Sequence, residues 1–128
     1  MEWKRKPGTW QMTEHIKNGV LYVTFPLLDA EQGFVHGFST RIGGVSEGDL
    51  SSMNLSFTRG DDPERVRENY RRIAAAVGFE TDRLVLTHQT HTNHVRVVTE
   101  ADAGKGFVRE RDYTDVDGLV TDVPQLVL

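Results

Sequence analysis

The chain has 128 residues, a formal charge of −4, and 38% hydrophobic against 27% charged residues. That size suits about one domain, with a core that hides roughly two-thirds of the unfolded-chain surface. The net negative charge argues against non-specific capture of nucleic acid or an anionic membrane, no apolar run reaches the length of a membrane span, and the lack of cysteine removes disulfides and thiolate sites from these residues.

The lead-in Met1-Glu2-Trp3-Lys4-Arg5-Lys6-Pro7-Gly8 is mildly basic with no apolar stretch behind it. It does not read as a secretory signal, and the expected location is cytoplasmic. Residues 20–25 are β-rich and bounded by Asn18-Gly19 and Pro26, which predicts a strand after a turn. Residues 34–39 read as a second strand, with His36 a packed, hydrogen-bonded histidine; His15 sits in a polar lead-in without an assigned role.

Residues 40–52 are polar and glycine-bearing, which predicts a loop and a candidate binding loop. Arg41, beside Gly43 and Gly44, offers a guanidinium fork and nearby backbone N–H groups, a match for phosphate. The plain alternative is a solvated loop arginine. Asn54 either caps a turn or bonds a ligand. Gly60-Asp61-Asp62-Pro63 reads as helix initiation rather than a metal site, with Asp62 as N-cap and Pro63 at the first helical position. Val66, Tyr70, Ile73 and Val77 then recur at helical spacing, and Gly78 supplies the stop. Arg65, Arg67, Arg71 and Arg72 lie mostly off that stripe among Asp61, Asp62, Glu64 and Glu68, so they read as a solvated face rather than a nucleic-acid patch.

Residues 84–87 and 95–98 look like two strands joined by Thr87-His88-Gln89-Thr90-His91-Thr92-Asn93-His94. A long polar stretch, 99–117, is expected to be mobile or functional. Residues 118–121 and 126–128 read as strands around a turn at Asp122-Val123-Pro124. One helix among five or six strands predicts an α+β (mixed α/β) domain with a mixed β-sheet core and few helices.

The histidine segment is the first place to look for chemistry, because histidine is the commonest metal ligand. Its Thr, Val and Asn content disfavours a helix, and in a strand residues three apart face opposite sides. A self-contained three-histidine zinc site would therefore need a tight turn. A single ligand from this segment, with the rest of the site elsewhere, is chemically simpler. Surface or structural histidines are the competing reading.

Taken together, His36-Gly37-Phe38-Ser39-Thr40-Arg41-Ile42-Gly43-Gly44-Val45-Ser46, Ser52-Met53-Asn54-Leu55, Gly60-Asp61-Asp62-Pro63 with Val66 and Asn69, Gln89-Thr90-His91, and Asp117-Gly118-Leu119-Val120-Thr121 resemble the laccase-domain, or YfiH-like, family (multicopper polyphenol oxidases and purine nucleoside phosphorylases). The resemblance covers about residues 34–128, with 1–33 a lead-in strand region. It implies that residues 1–128 are the amino-terminal part of a larger single domain. It also implies zinc-dependent phosphorolysis of adenosine, inosine, guanosine and methylthioadenosine, with adenosine deamination besides. The family's Gln-x-His motif falls on His91, which the resemblance makes a zinc ligand; its other ligands, a cysteine and a histidine in motifs absent here, are expected beyond residue 128. The family commonly carries glycine after the motif histidine, where this chain has Thr92.

On that reading His91 is the metal ligand, and His91 and Arg41 form the catalytic set. Arg41, Gly43 and Gly44 are candidates for phosphate, and Asn54 and Gln89 for orienting the nucleoside; these binding roles come from residue chemistry, not from the family. Residues 1–128 by themselves are expected to be inactive, since one imidazole cannot hold zinc tightly. The expected partners are a purine nucleoside and phosphate, with no nucleic acid and no membrane. One rival is a copper-dependent polyphenol oxidase, for which five histidines are too few. The other is a non-catalytic binding module.

Overall fold

A computed structural model describes residues 11–128. The lead-in read as lacking a secretory signal lies outside the described residues. Two compact units divide at Val77 and Gly78. Mixed sheets with few helices make the fold α+β.

In the first unit, Asn18 (φ 51°) and Gly19 (φ 78°) both adopt left-handed backbone, the conformation of a tight hairpin turn whose twist suits antiparallel strands. The turn joins β1 (Thr13–Lys17) to β2 (Val20–Thr24), pairing Lys17 with Val20 and Thr13 with Thr24. Only His15 of β1 is even half-buried, so this strand has no apolar alternation to announce it. His15 stacks on Tyr22 at 4.9 Å between ring centroids and bonds Thr24 Oγ1 at 2.8 Å. The short helix α1 (Pro26–Asp29) follows, and β3 (Phe38–Ser39) returns antiparallel to β2.

The strand predicted over 34–39 therefore shrinks to its last two residues. His36 leaves the ladder and its Nε2 accepts the Phe25 N–H at 2.8 Å, while Phe34 and Val35 stay exposed. Helix α2 (Pro63–Val77) starts and stops where its punctuation predicts. Asp62 Oδ1 accepts the Glu64 N–H at 2.9 Å, and Gly78 takes φ +98°. Val66, Tyr70 and Ile73 are buried along the expected stripe, joined by Ala74, Ala76 and the fully buried Asn69.

In the second unit, β4 (Val95–Val97) pairs parallel with β5 (Gly118–Val120). Residues 84–87 do not form a strand. Leu84 makes one bridge to Val127 and His88 one to Val116. The reason is that backbone groups here have scattered partners. Val85 N–H donates to Val127, Leu86 N–H donates to Lys105, and Leu84 C=O accepts from Gly104. The predicted strand over 126–128 reduces to the same bridge at Val127. Val85, Val98 and Leu126 form the core, with Ala103, Tyr113, Leu119 and Val123 packed against it.

The stretch 99–117 is a packed element rather than an open loop. Thr99 and Asp102 make a reciprocal capping box on one 3-10 turn. Lys105, only 7% exposed, reaches Asp102 at 2.6 Å and Asp112 at 2.8 Å. Arg96 lies 4.7 Å from the centroid of the Tyr113 ring, and the Tyr113 hydroxyl donates to Leu86 O at 2.7 Å.

The Lys105 ammonium, helped by the Thr99 N–H, lowers the Asp102 carboxyl from 3.8 to about 2. A depressed folded-state value adds stability that is complete above the unfolded value and is lost as pH falls through the folded one. Wild-type protein should lose about 1–2 kcal/mol from this group between pH 5 and pH 2 (roughly one pKa unit is 1.4 kcal/mol, reduced for solvent screening). Urea unfolding across that range should show the loss in wild type and a flatter profile in Asp102→Asn. Parallel profiles would contradict the assignment.

Candidate functional site

The first unit presents a cleft of about 490 Å³ lined by Ser39, Arg41, Asp49, Leu50, Met53, Asn54, Leu55, Ser56 and Arg59. Two of the predicted site residues, Arg41 and Asn54, meet here. The loop carrying them folds on itself. Arg41 C=O accepts the N–H groups of Ser52 (3.0 Å) and Met53 (3.1 Å). Its guanidinium donates to Ser51 O (3.1 Å) and Asp49 O (2.9 Å), which braces the loop while leaving further N–H donors at the cleft.

Gly43 and Gly44 are needed by close backbone approach. A Cβ on Gly43 would lie 2.5 Å from Gly19 O, and one on Gly44 would lie 2.0 Å from Ser52 O. Several amides of the glycine loop are committed inward. Gly44 N–H donates to Ser52 Oγ, Val45 N–H to Asn69 Oδ1 and Ser46 N–H to Ser52 O.

Asn54, half-buried at the cleft, joins a polar knot with the buried Ser46 and Asn69. Its Nδ2 donates to Asp61 Oδ2 (2.9 Å) and Ser56 O (3.1 Å), and its Oδ1 accepts the Ser56 N–H (3.0 Å). The Asn54 amide and the Ser46 hydroxyl hold the Asp61 carboxyl below its usual value. Asn69 closes the knot, donating to Ser46 Oγ (2.9 Å) and Asn54 O (2.8 Å). Asp61 thus serves the loop, and Asp62 caps the helix. Asn69 was read in the sequence only as part of the family resemblance, without a role in the site, and Arg59 was not singled out at all. A polar residue on an apolar helical stripe was the signal available for the first, and no signal existed for the second.

The second unit carries the histidine loop. His88 Nδ1 accepts the Asp115 N–H at 3.1 Å, and His94 Nδ1 donates to Asp115 O at 3.0 Å. Both rings are thus tied to the backbone of one residue. Among the described residues the ring of His91 has no hydrogen bond, and the residue is exposed with φ 62°. The left-handed position therefore falls on His91 itself and not on Thr92, so residue 92 needs no glycine here. Gln89 is exposed beside it.

Asp117 anchors this loop. Its Oδ1 accepts the Thr90 N–H at 3.0 Å and lies 3.0 Å from the Thr92 hydroxyl. The Thr90 N–H, with the backbone and hydroxyl of Thr92, holds the Asp117 carboxyl below the usual range.

Among the described residues no group of three His, Cys, Asp or Glu side chains could hold a metal ion. The unbonded imidazole of His91 fits one position of a catalytic metal site, whose remaining ligands would have to come from elsewhere. No helix among the described residues is long and apolar enough to cross a membrane.

The chain is 40% identical over 104 residues to a purine nucleoside phosphorylase of Deinococcus radiodurans, covering 80% of this chain and 37% of that protein. It is 36% identical over 100 residues to the purine nucleoside phosphorylase YlmD of Geobacillus stearothermophilus, covering 75% and 35%. The crystal structure of the Bacillus licheniformis hypothetical protein YfiH superposes with a TM-score of 0.73 at 27% identity, over 86% of this chain and 40% of that one. The chain thus spans about a third of the length of the curated relatives it matches. A family model described as multi-copper polyphenol oxidoreductase laccase matches residues 35–128, which include both the cleft loop and the histidine loop, and the chain belongs to that YfiH-like laccase-domain family.

Proposed function

We propose that the protein carrying this chain is a purine nucleoside phosphorylase that uses a zinc ion held in part by His91, and that it also deaminates adenosine. The observation that carries the reading is the match to relatives named purine nucleoside phosphorylase across a segment whose motif histidine presents a ring without a hydrogen bond. When bound, zinc would supply electrophilic and water-activating chemistry. The chain's own residues supply recognition. Arg41 offers its free N–H donors to phosphate, with Gly43 and Gly44 shaping the loop that carries it. Asn54 in the first unit and the exposed Gln89 in the second each offer an amide group to a nucleoside. Residues 1–128 alone supply a single suitable imidazole and should not turn over.

In phosphorolysis the bond between the purine nitrogen and ribose C1′ breaks, a phosphate oxygen bonds C1′, and the base leaves with a proton. The protein incubated with inosine and phosphate should therefore release hypoxanthine and ribose 1-phosphate in equal amounts, and with adenosine alone it should release inosine and ammonia. The family's description names copper and phenols, so a phenol-oxidation assay of the copper-loaded protein belongs alongside. Phenol oxidation without nucleoside cleavage would replace this reading with the oxidase one.

A further inference from the structure

We propose that Asp117 is the positioning residue of the histidine loop, holding His91 in its left-handed conformation so that its ring faces outward as a ligand. The proposal rests on His91 being a metal ligand. Its basis is the way the loop is closed.

The segment leaves the core at His88, which bridges to Val116, and returns at His94, whose C=O accepts the N–H groups of Asp117 (3.0 Å) and Gly118 (3.2 Å). Asp117 directly precedes β5, whose parallel partner β4 starts at Val95. The carboxylate is therefore mounted on a paired strand end and aimed back into the loop. There its Oδ1 accepts the Thr90 N–H and the Thr92 hydroxyl, each at 3.0 Å, so one carboxylate oxygen holds the residues on both sides of His91. Charge-assisted bonds from amides to a carboxylate are about twice as strong as neutral ones. Holding Thr90 and Thr92 on one oxygen draws the chain on either side of His91 together, and the left-handed φ of His91 is the turn that this closure takes.

The side chains complete the arrangement. The Thr92 hydroxyl lies 3.0 Å from Asp117 Oδ1 and accepts the His94 N–H at 3.3 Å, and Thr90 Oγ1 donates to Asp115 Oδ1 at 3.1 Å. With His88 and His94 tied to Asp115, the clamp leaves His91 as the segment's ring without a hydrogen bond among the described residues.

Asp117→Ala and the milder Asp117→Asn, which keeps one acceptor oxygen, test this in the protein that carries the chain. Two readouts are needed. One is amide hydrogen exchange at Thr90, whose N–H the carboxylate accepts, without metal. The other is zinc affinity by competition with a chromophoric chelator, with cobalt(II) absorption reporting ligand geometry. Asp117→Ala should speed exchange at the Thr90 amide at least about tenfold and weaken zinc binding by about 10- to 100-fold, the usual cost of losing a ligand's support. Asp117→Asn should fall between.

Unchanged exchange in Asp117→Ala overturns the proposal, and so does faster exchange with unaltered zinc affinity and cobalt spectrum. His91→Ala separates the premise from the proposal. If that variant binds zinc as tightly as wild type, His91 is no ligand and the reading of the site itself fails.

Discussion

With His91 in its proposed place as a zinc ligand, replacing it with alanine is expected to weaken zinc binding at least about 100-fold, since a ligand is lost rather than its support. Nucleoside cleavage should fall to background at ordinary zinc concentrations. Stability should change by only about 0.5 kcal/mol, because the ring is exposed and has no hydrogen bond to lose. His91→Gly is a useful companion, since glycine takes φ 62° without strain. The pattern to look for is metal content and turnover lost together, with the urea midpoint held. Full turnover with normal zinc content in either variant would remove His91 from the chemistry. A large drop in stability would instead mean that the ring carries structural contacts.

Asn69→Leu should have the largest effect on folding, destabilising the first unit by about 3–5 kcal/mol. Leucine resembles asparagine in size and would suit an apolar stripe, so a purely hydrophobic view of α2 expects little change or a gain. The polar view differs because Asn69 is fully buried and satisfies three groups at once, the Val45 N–H, the Ser46 hydroxyl and the Asn54 C=O. Leucine leaves those groups short of partners, and an orphaned buried polar group costs about 1–3 kcal/mol. The same knot positions Asn54 and, through Ser46, Asp61. Equilibrium urea unfolding of both proteins decides the matter. A loss under about 1 kcal/mol would show that water or local movement replaces those bonds.

Residues whose information is local could be read directly. Helix α2 is one case, since Asp62, Pro63, the apolar spacing and Gly78 each act within a few residues. The turn at Asn18-Gly19 is another, because two left-handed positions in sequence select one hairpin type. The strand partners of residues 84–87 could not be read, because their N–H and C=O groups are satisfied by Lys105, Gly104 and Val127, far away in sequence. Polar residues 99–117 looked like an open loop because charge usually means exposure. Lys105 is buried there only because Asp102 and Asp112 converge on it.

The candidate site divides along the same line. By itself the amino-acid order determined which segments carry chemistry: an arginine beside paired glycines, and three histidines within seven positions. It also carried the family resemblance, because motifs are strings of residue types. Only the tertiary structure decided how those residues are used. It committed the amides of the glycine loop to Ser52 and Asn69, tied His88 and His94 to Asp115, and left His91 unbonded on a turn held by Asp117. The physical reason is that a donor or acceptor becomes available for chemistry by failing to find a partner inside the fold, and partners arrive from anywhere along the chain.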